Sequence, residues 1–196
     1  MKVLGLDIST ANIGLCVIDT EKPQGHRILL AYGISLVNIE GLYTKSCEFR
    51  EHIQALAKDH AIDIIAIEES LQSFRSKKSS AGTIAKLNRF NGITSYIARS
   101  ELNCPASMVN SVSARKLVGC KIDRKSSLDT KEQVLRWVTT HPEMKGFKWP
   151  TKIMKSGPDK GKERLEVLCY DIADAFVVAT WAADILKIDD LDATVV

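Results

Sequence analysis

Val3-Leu4-Gly5-Leu6-Asp7-Ile8-Ser9-Thr10-Ala11-Asn12-Ile13-Gly14-Leu15-Cys16-Val17-Ile18 holds two apolar runs separated by a short polar break. Residues 2–8 read as a buried strand, Thr10-Ala11-Asn12 as a turn, and residues 14–18 as a second strand antiparallel to the first. Asp7 closes the first apolar run. A carboxylate at the end of a core strand is costly unless something cationic meets it.

Working outward, Pro23-Gln24-Gly25 marks another turn, and Arg27 to Val37 alternates loosely as a third strand. Phe49, Ile53 and Leu56 recur at helical spacing, which predicts an amphipathic helix over 45–60. Asp63 to Glu68 is a short continuous apolar strand. After a helical crossover it would run parallel to the first strand. Ser70 to Gly82 is polar and basic and reads as a loop. A helix from Thr83 carries Ile84, Leu87, Phe90, Ile93 and Ile97 on one face, and Pro105 to Val112 gives a further parallel strand.

Ser113 to Val118 is a short helix or turn stopped by Gly119. Asp129-Thr130-Lys131-Glu132 has the form of an N-cap with its capping-box partner, opening a helix that Pro142 closes. Residues 143–165 are rich in Lys, Gly and Pro and read as a basic loop or small insertion. From about Glu166 to Leu186 the chain is one long, mostly apolar helix. Three antiparallel strands followed by alternating helices and strands predict an α/β domain built on a mixed five-stranded sheet flanked by helices, one domain over residues 1–196.

The chain of 196 residues is 45% hydrophobic, enough for a substantial core. Its apolar stretches are only strand length, so no membrane partner is expected. Asp7 comes too early for a signal peptide. The cysteines are odd in number and irregularly spaced, with no CxxC, which argues against a zinc site or disulfide framework and for a cytoplasmic protein. The net charge of +3 is unevenly spread. Residues 1–74 sum to −4, residues 75–166 to +12 and residues 167–196 to −5. An acidic centre beside a strongly basic stretch suits a metal site flanked by a polyanion-binding surface.

Three further acids resemble Asp7 in their setting. Glu68 ends the run Ile64-Ile65-Ala66-Ile67. Asp171 and Asp174 stand three apart, on one face of the helix, in Cys169-Tyr170-Asp171-Ile172-Ala173-Asp174-Ala175-Phe176. A lone Asp on a helix is usually a surface charge or a cap. Two acids on an apolar helix need a partner, and no Lys or Arg occurs between Glu166 and Asp184. Two strands and one helix could bring the four carboxylates to one point, where a pair of divalent metal ions is the simplest partner.

In this form the chain resembles the RuvC-type Holliday junction resolvases of the RNase H-like superfamily. Their motifs match Asp7 with Gly14 seven residues on, Ala66-Ile67-Glu68, and Asp171-Ile172-Ala173-Asp174-Ala175. Val118-Gly119, followed by Lys131-Glu132-Gln133-Val134, also matches. The likeness spans most of 1–140 and 166–186. Ile8-Ser9 replaces the family's Pro-Gly, Glu69 directly follows Glu68, and the family's basic residue before Val-Gly is displaced, with Arg115 and Lys116 nearest. Residues 143–165 have no counterpart in the short bacterial proteins, and the divergence resembles a phage or mobile-element version.

The resemblance implies an RNase H-like fold and a crossover junction endodeoxyribonuclease that nicks branched DNA, leaving 5′-phosphate ends. It implies a homodimer matching a four-way junction, with no small-molecule cofactor. Asp7, Glu68, Asp171 and Asp174 would be the catalytic ligands of two Mg²⁺ ions, typically about 3.5–4 Å apart, with Mn²⁺ able to substitute. Lys131 would neutralise charge at the scissile phosphate; a surface helix lysine is the other reading. Phe74, Arg75, Lys77 and Lys78 in the loop after Glu68, together with Arg115, Lys116, Lys152 and Lys155, would bind DNA. Phe74 would stack on unpaired bases, or else fold back onto the core. The competing readings are a nuclease of RNA–DNA hybrids, a kinase-like ATPase of the same core, and a DNA-binding module without catalysis. The kinase reading lacks room for the second domain such enzymes need.

Overall fold

The computed structural model describes residues 1–69 and 80–185. Its main sheet comprises β1 (Lys2–Ile8), β2 (Asn12–Asp19), β3 (Ile28–Ser35), β4 (Ile64–Glu68) and β5 (Ala106–Val109), in the order β3-β2-β1-β4-β5. β1, β2 and β3 form an antiparallel meander, while β4 runs parallel to β1 and β5 parallel to β4. This is the mixed sheet that the sequence pattern predicts. The helices are α1 (Leu42–Asp59), α2 (Ala81–Leu102), α3 (Ser111–Leu117), α4 (Thr130–Thr140) and α5 (Leu168–Ile185). Helix α1 starts at Leu42, three residues ahead of the predicted boundary.

Strand alternation divides the core. On one face Leu4, Leu6, Leu15, Val17, Ile65 and Ile67 pack against Phe49, Ile53 and Leu56 of α1 and Phe90 and Ile97 of α2. These large side chains hold α1 and α2 away from the sheet by a full side-chain layer. The other face is built differently. Ala31, Cys16, Gly5, Ala66 and Ser107 form one register row of small residues across all five strands. Gly33, Gly14 and Asp7 form the row two residues further on.

Helix α5 lies on these rows with no side-chain layer beneath it. A Cβ on Gly5 would come within 2.3 Å of the Ala175 carbonyl oxygen, and one on Gly33 within 2.3 Å of the Leu168 side chain. The apolar face of α4 (Val134, Leu135, Val138) completes this half of the core together with Phe176 of α5.

Residues 143–165 are partly ordered by their own structure. A single 3-10 turn at Pro142–Met144 leads into an antiparallel hairpin, β6 (Thr151–Ile153) and β7 (Glu163–Leu165), whose six residues are all exposed. Both ends of the segment are anchored. Glu143 is buried, and its Oε1 accepts a 2.7 Å bond from Arg27 Nε, while Arg27 Nη1 reaches Asp184 of α5 at 2.8 Å. At the other end the Pro150 carbonyl accepts from Glu166 N at 3.0 Å and from Cys169 Sγ at 3.2 Å.

Candidate metal centre

The fold brings the predicted acids together. Asp7 and Glu68 each stand one residue beyond the paired Leu6 and Ile67, at the matching ends of the neighbouring parallel strands β1 and β4. Gly14 pairs with Asp7 in the β1–β2 register, and the absent side chain at Gly14 lets α5 descend. A Cβ there would lie 1.9 Å from the Asp171 carbonyl oxygen. One carboxylate oxygen each from Asp7, Glu68 and Asp174 lie within 4.8 Å of one another. Asp171, only 5% exposed, stands outside that trio but shares a cleft of about 190 Å³ with Asp7, Ser9, Glu68, Glu69 and Lys131. The Asn12 side chain favours the ionised form of its carboxylate.

Of the two adjacent glutamates, Glu68 supplies the oxygen that meets Asp7 and Asp174, while the Glu69 N–H donates to Val109 O at 2.8 Å. Both line the cleft.

Electrostatics show that the cluster is short of positive charge. Burial first, then the neighbouring charges of Glu68, Asp174 and Asp171, push the Asp7 carboxyl well above the usual carboxylate range. Burial and then Asp174 push Glu68 up to about 7. Asp171 and Asp174 are also raised, chiefly by burial. Two cations act against this trend. Lys131 stands in the first turn of α4, where the Asp129–Glu132 capping box fixes the helix start, and it favours the ionised form of all four acids. Arg115 favours the ionised forms of Glu68 and Asp174. An all-oxygen donor set whose charge is poorly compensated fits a hard divalent cation such as Mg²⁺.

Arg115 takes a place that sequence reasoning did not foresee. Its Nη2 donates to Asp174 Oδ1 at 3.1 Å, and its side chain is 14% exposed. Its Nε is buried with no hydrogen-bond partner among the described residues. The residue expected at a DNA surface therefore turns inward onto the acids, while neighbouring Lys116 stays exposed. Helix α3 is aimed by Asn110, whose Oδ1 accepts from Val112 N at 3.1 Å and Ser113 N at 3.2 Å. Ser111, at the start of that helix, favours the ionised form of Glu68.

Asn12 and Ser111 were missed from sequence. Asn12 opens β2 and Ser111 opens α3, each just after the carboxyl end of a sheet strand, as Asp7 and Glu68 stand at strand ends, and that position is the available signal. Lys152 lies in β6 opposite Arg164, and Lys155 just beyond it; both are exposed on the hairpin and do not line the acidic cleft. Phe74, Arg75, Lys77 and Lys78 lie outside the described residues.

No family model matches the chain. The crossover junction endodeoxyribonuclease RuvC of Wolinella succinogenes is 30% identical to it over 95 residues, which is 48% of this chain and 55% of that protein. The RuvC of Aliarcobacter butzleri is 32% identical over 95 residues, 48% of this chain and 57% of that one. The chain thus spans about half the length of the curated relatives it matches. In fold it is similar to Thermus thermophilus RuvC, with a TM-score of 0.58 at 14% identity, covering 94% of this chain and 96% of that one. The same enzyme in complex with a Holliday junction substrate gives 0.57 at 13% identity, over 94% and 95%. The yeast mitochondrial Holliday junction resolvase Ydc2 gives 0.57 at 17% identity, over 92% and 77%. The chain is thus similar in sequence to RuvC proteins over about half its length, and its mixed sheet with flanking helices is the fold of those solved resolvase structures.

Proposed function

We propose that this protein is a metal-dependent, structure-selective DNA endonuclease that resolves Holliday junctions, and other branched DNA, by paired nicking that leaves 5′-phosphate ends. The observation that carries the reading is the meeting of Asp7, Glu68 and Asp174 within 4.8 Å, with Asp171 in the same cleft. Such a set of carboxylates would suit a phosphodiesterase metal centre, and it falls on the acids that the resemblance to RuvC-type resolvases singles out. The sequence match to RuvC proteins over 95 residues supports it further.

Each residue has a task that follows from its position. Asp7, Glu68, Asp171 and Asp174 would hold two Mg²⁺ ions, with Mn²⁺ able to replace them. Bound there, the ions would supply a water-derived nucleophile at neutral pH and stabilise charge on phosphorus and on the leaving 3′ oxygen. Lys131 offers a cation beside the cleft for the scissile phosphate. Arg115 holds Asp174 in place from the side of α3. Asn12 and Ser111 favour the ionised forms of Asp171 and Glu68.

The basic residues Lys116, Lys152 and Lys155, with Phe74, Arg75, Lys77 and Lys78, are the proposed DNA contacts. A homodimer would present two such centres with the two-fold symmetry of a four-way junction. No helix among the described residues is long and apolar enough to cross a membrane.

The deciding test is cleavage of four-way, three-way and linear DNA and of an RNA–DNA hybrid, side by side, with Mg²⁺. Symmetric nicks in the four-way junction, far in excess of cutting elsewhere, are expected. Cutting of the hybrid or of linear duplex at an equal rate would overturn the reading.

A further inference from the structure

Beside the acidic cleft lies a second concavity, of about 730 Å³, between α3 and the segment that leads into α4. Arg115, Lys116, Lys121 and Arg124 stand around it, and its floor includes Val112 and Ile122. Among the described residues no acid lines it. Val112, in α3, is 68% exposed.

The platform is fixed by hydrogen bonds. Gly119, at φ 83°, turns the chain out of α3. Gln133 then clamps the loop: its Oε1 accepts from Asp123 N at 2.8 Å, and its Nε2 donates to Asp123 O at 3.0 Å and Leu128 O at 2.9 Å. The Asp123 carboxylate accepts from Lys125 N and the Asp129 carboxylate from Glu132 N, both at 2.8 Å, so the two acids of this loop are engaged locally. Lys121 and Arg124 stay exposed on a braced backbone. Arg115 ties this groove to the acid cluster, since it lines the groove while its Nη2 rests on Asp174 at 3.1 Å.

We infer that this groove is a strand-binding subsite, holding the sugar-phosphate backbone of one DNA strand as it leaves the acid cluster. The inference rests on the proposed nuclease function and names the path its substrate takes. Lys116, Lys121 and Arg124, exposed in a groove that no acid lines, suit consecutive phosphates, and the apolar Val112 and Ile122 suit the face of a deoxyribose or base. A protein partner would leave the cations in need of matching carboxylates. The braced loop means that little ordering entropy opposes the contact.

The test is the double variant Lys121→Ala/Arg124→Ala, with binding of a four-way junction measured across a series of NaCl concentrations. Two lost phosphate contacts should lower the slope of log affinity against log salt by about 1.8, and weaken binding at about 0.15 M salt by roughly 30-fold. An unchanged slope overturns the inference. In a second measurement, p-benzoylphenylalanine in place of Val112 should photo-crosslink to nucleotides adjacent to the nick. Crosslinks only to distant arms, or only to a second protein chain, overturn it as well. Wild-type cleavage of the junction is scored in parallel. If the wild type cuts no branched DNA, the nuclease reading falls on its own, while the salt slope still reports on the groove.

Discussion

Gly14 lies directly beneath Asp171, with no room for even a methyl group between strand and helix. A Cβ at Gly14 would stand 1.9 Å from the Asp171 carbonyl oxygen and 2.8 Å from Ile172 N. Both neighbours are backbone atoms, so no side chain can swing aside. The spacing of Asp171 and Asp174 from Asp7 is set by a missing side chain.

Gly14→Ala should therefore lift α5 and damage structure and site together. A loss of roughly 1–3 kcal/mol, the usual cost of overpacking, should appear in urea unfolding. Nicking should fall by more than this stability loss explains. Gly92, in the middle of α2, is the contrast, because a methyl group added there would meet no described atom within 4 Å. Gly92→Ala should stabilise the protein by roughly 0.5–1 kcal/mol, because helical Ala costs less backbone entropy.

Asp7→Asn, Glu68→Gln, Asp171→Asn and Asp174→Asn should each abolish or nearly abolish nicking, yet leave junction binding intact in a gel-shift assay. Each removes one ligand charge and hardly alters the basic surfaces. A fully active variant would remove its residue from the centre. If Glu69→Gln is dead and Glu68→Gln active, the ligand is the neighbour.

The metal-free protein should lose stability as pH rises from about 4.5 to about 7. Glu68 has its folded pKa raised to about 7 from 4.5, so the folded state keeps a proton that the unfolded chain releases in that window. The stabilising effect is full below 4.5 and is lost as pH passes 7. Thermal melts in EDTA should show a falling Tm over this range. The expected loss is roughly 1–3 kcal/mol. Glu68→Gln should flatten the trend, and Mg²⁺ should restore stability above pH 7 if the acids bind it. A Tm that climbs through the window would refute the crowding of charge inferred here.

Arg115→Ala should be costly because it strands Asp174 beside Asp7 and Glu68. In a double-mutant cycle with Asp174→Asn, the two changes should couple by roughly 1–3 kcal/mol in the metal-free protein. Simple additivity would mean that the 3.1 Å contact carries no net energy.

On the hairpin, Lys152, Lys155, Lys160 and Lys162 changed together to Ala should weaken junction binding and flatten its salt dependence. Lys162 is already paired with Asp159 at 3.0 Å, so its share should be the smallest. With roughly 0.9 per neutralised phosphate, the slope should fall by about 2–3. An unchanged slope would make the hairpin a solvated appendage.

Much of this architecture is legible in the sequence because it rests on local patterns. Asp7 and Glu68 close apolar runs, Asp171 and Asp174 break an apolar helix, and Asp129 and Glu132 form the capping box that the spacing predicts. What is not legible depends on register between distant segments. The Ala31–Cys16–Gly5–Ala66–Ser107 row exists only once five strands are aligned. The inward turn of Arg115 depends on how α3 leaves β5, and the β6–β7 pairing joins residues whose flanks read as loop. A three-residue strand carries too short a period to announce itself.

The anchoring of residues 143–165 makes the hairpin an exchangeable cassette. Arg27 grips its first residue through Glu143, and Pro150 meets Glu166 and Cys169 just before the acids begin. Between these fixed points the ribbon can lengthen, shorten or be swapped without disturbing the helix that bears Asp171 and Asp174. Inside α5 the reverse holds: one inserted residue would rotate everything beyond it by about 100° and drive side chains into the glycine rows. Under the proposed function, changes of DNA preference would have a permitted address in this chain, the ribbon upstream of the acid cluster.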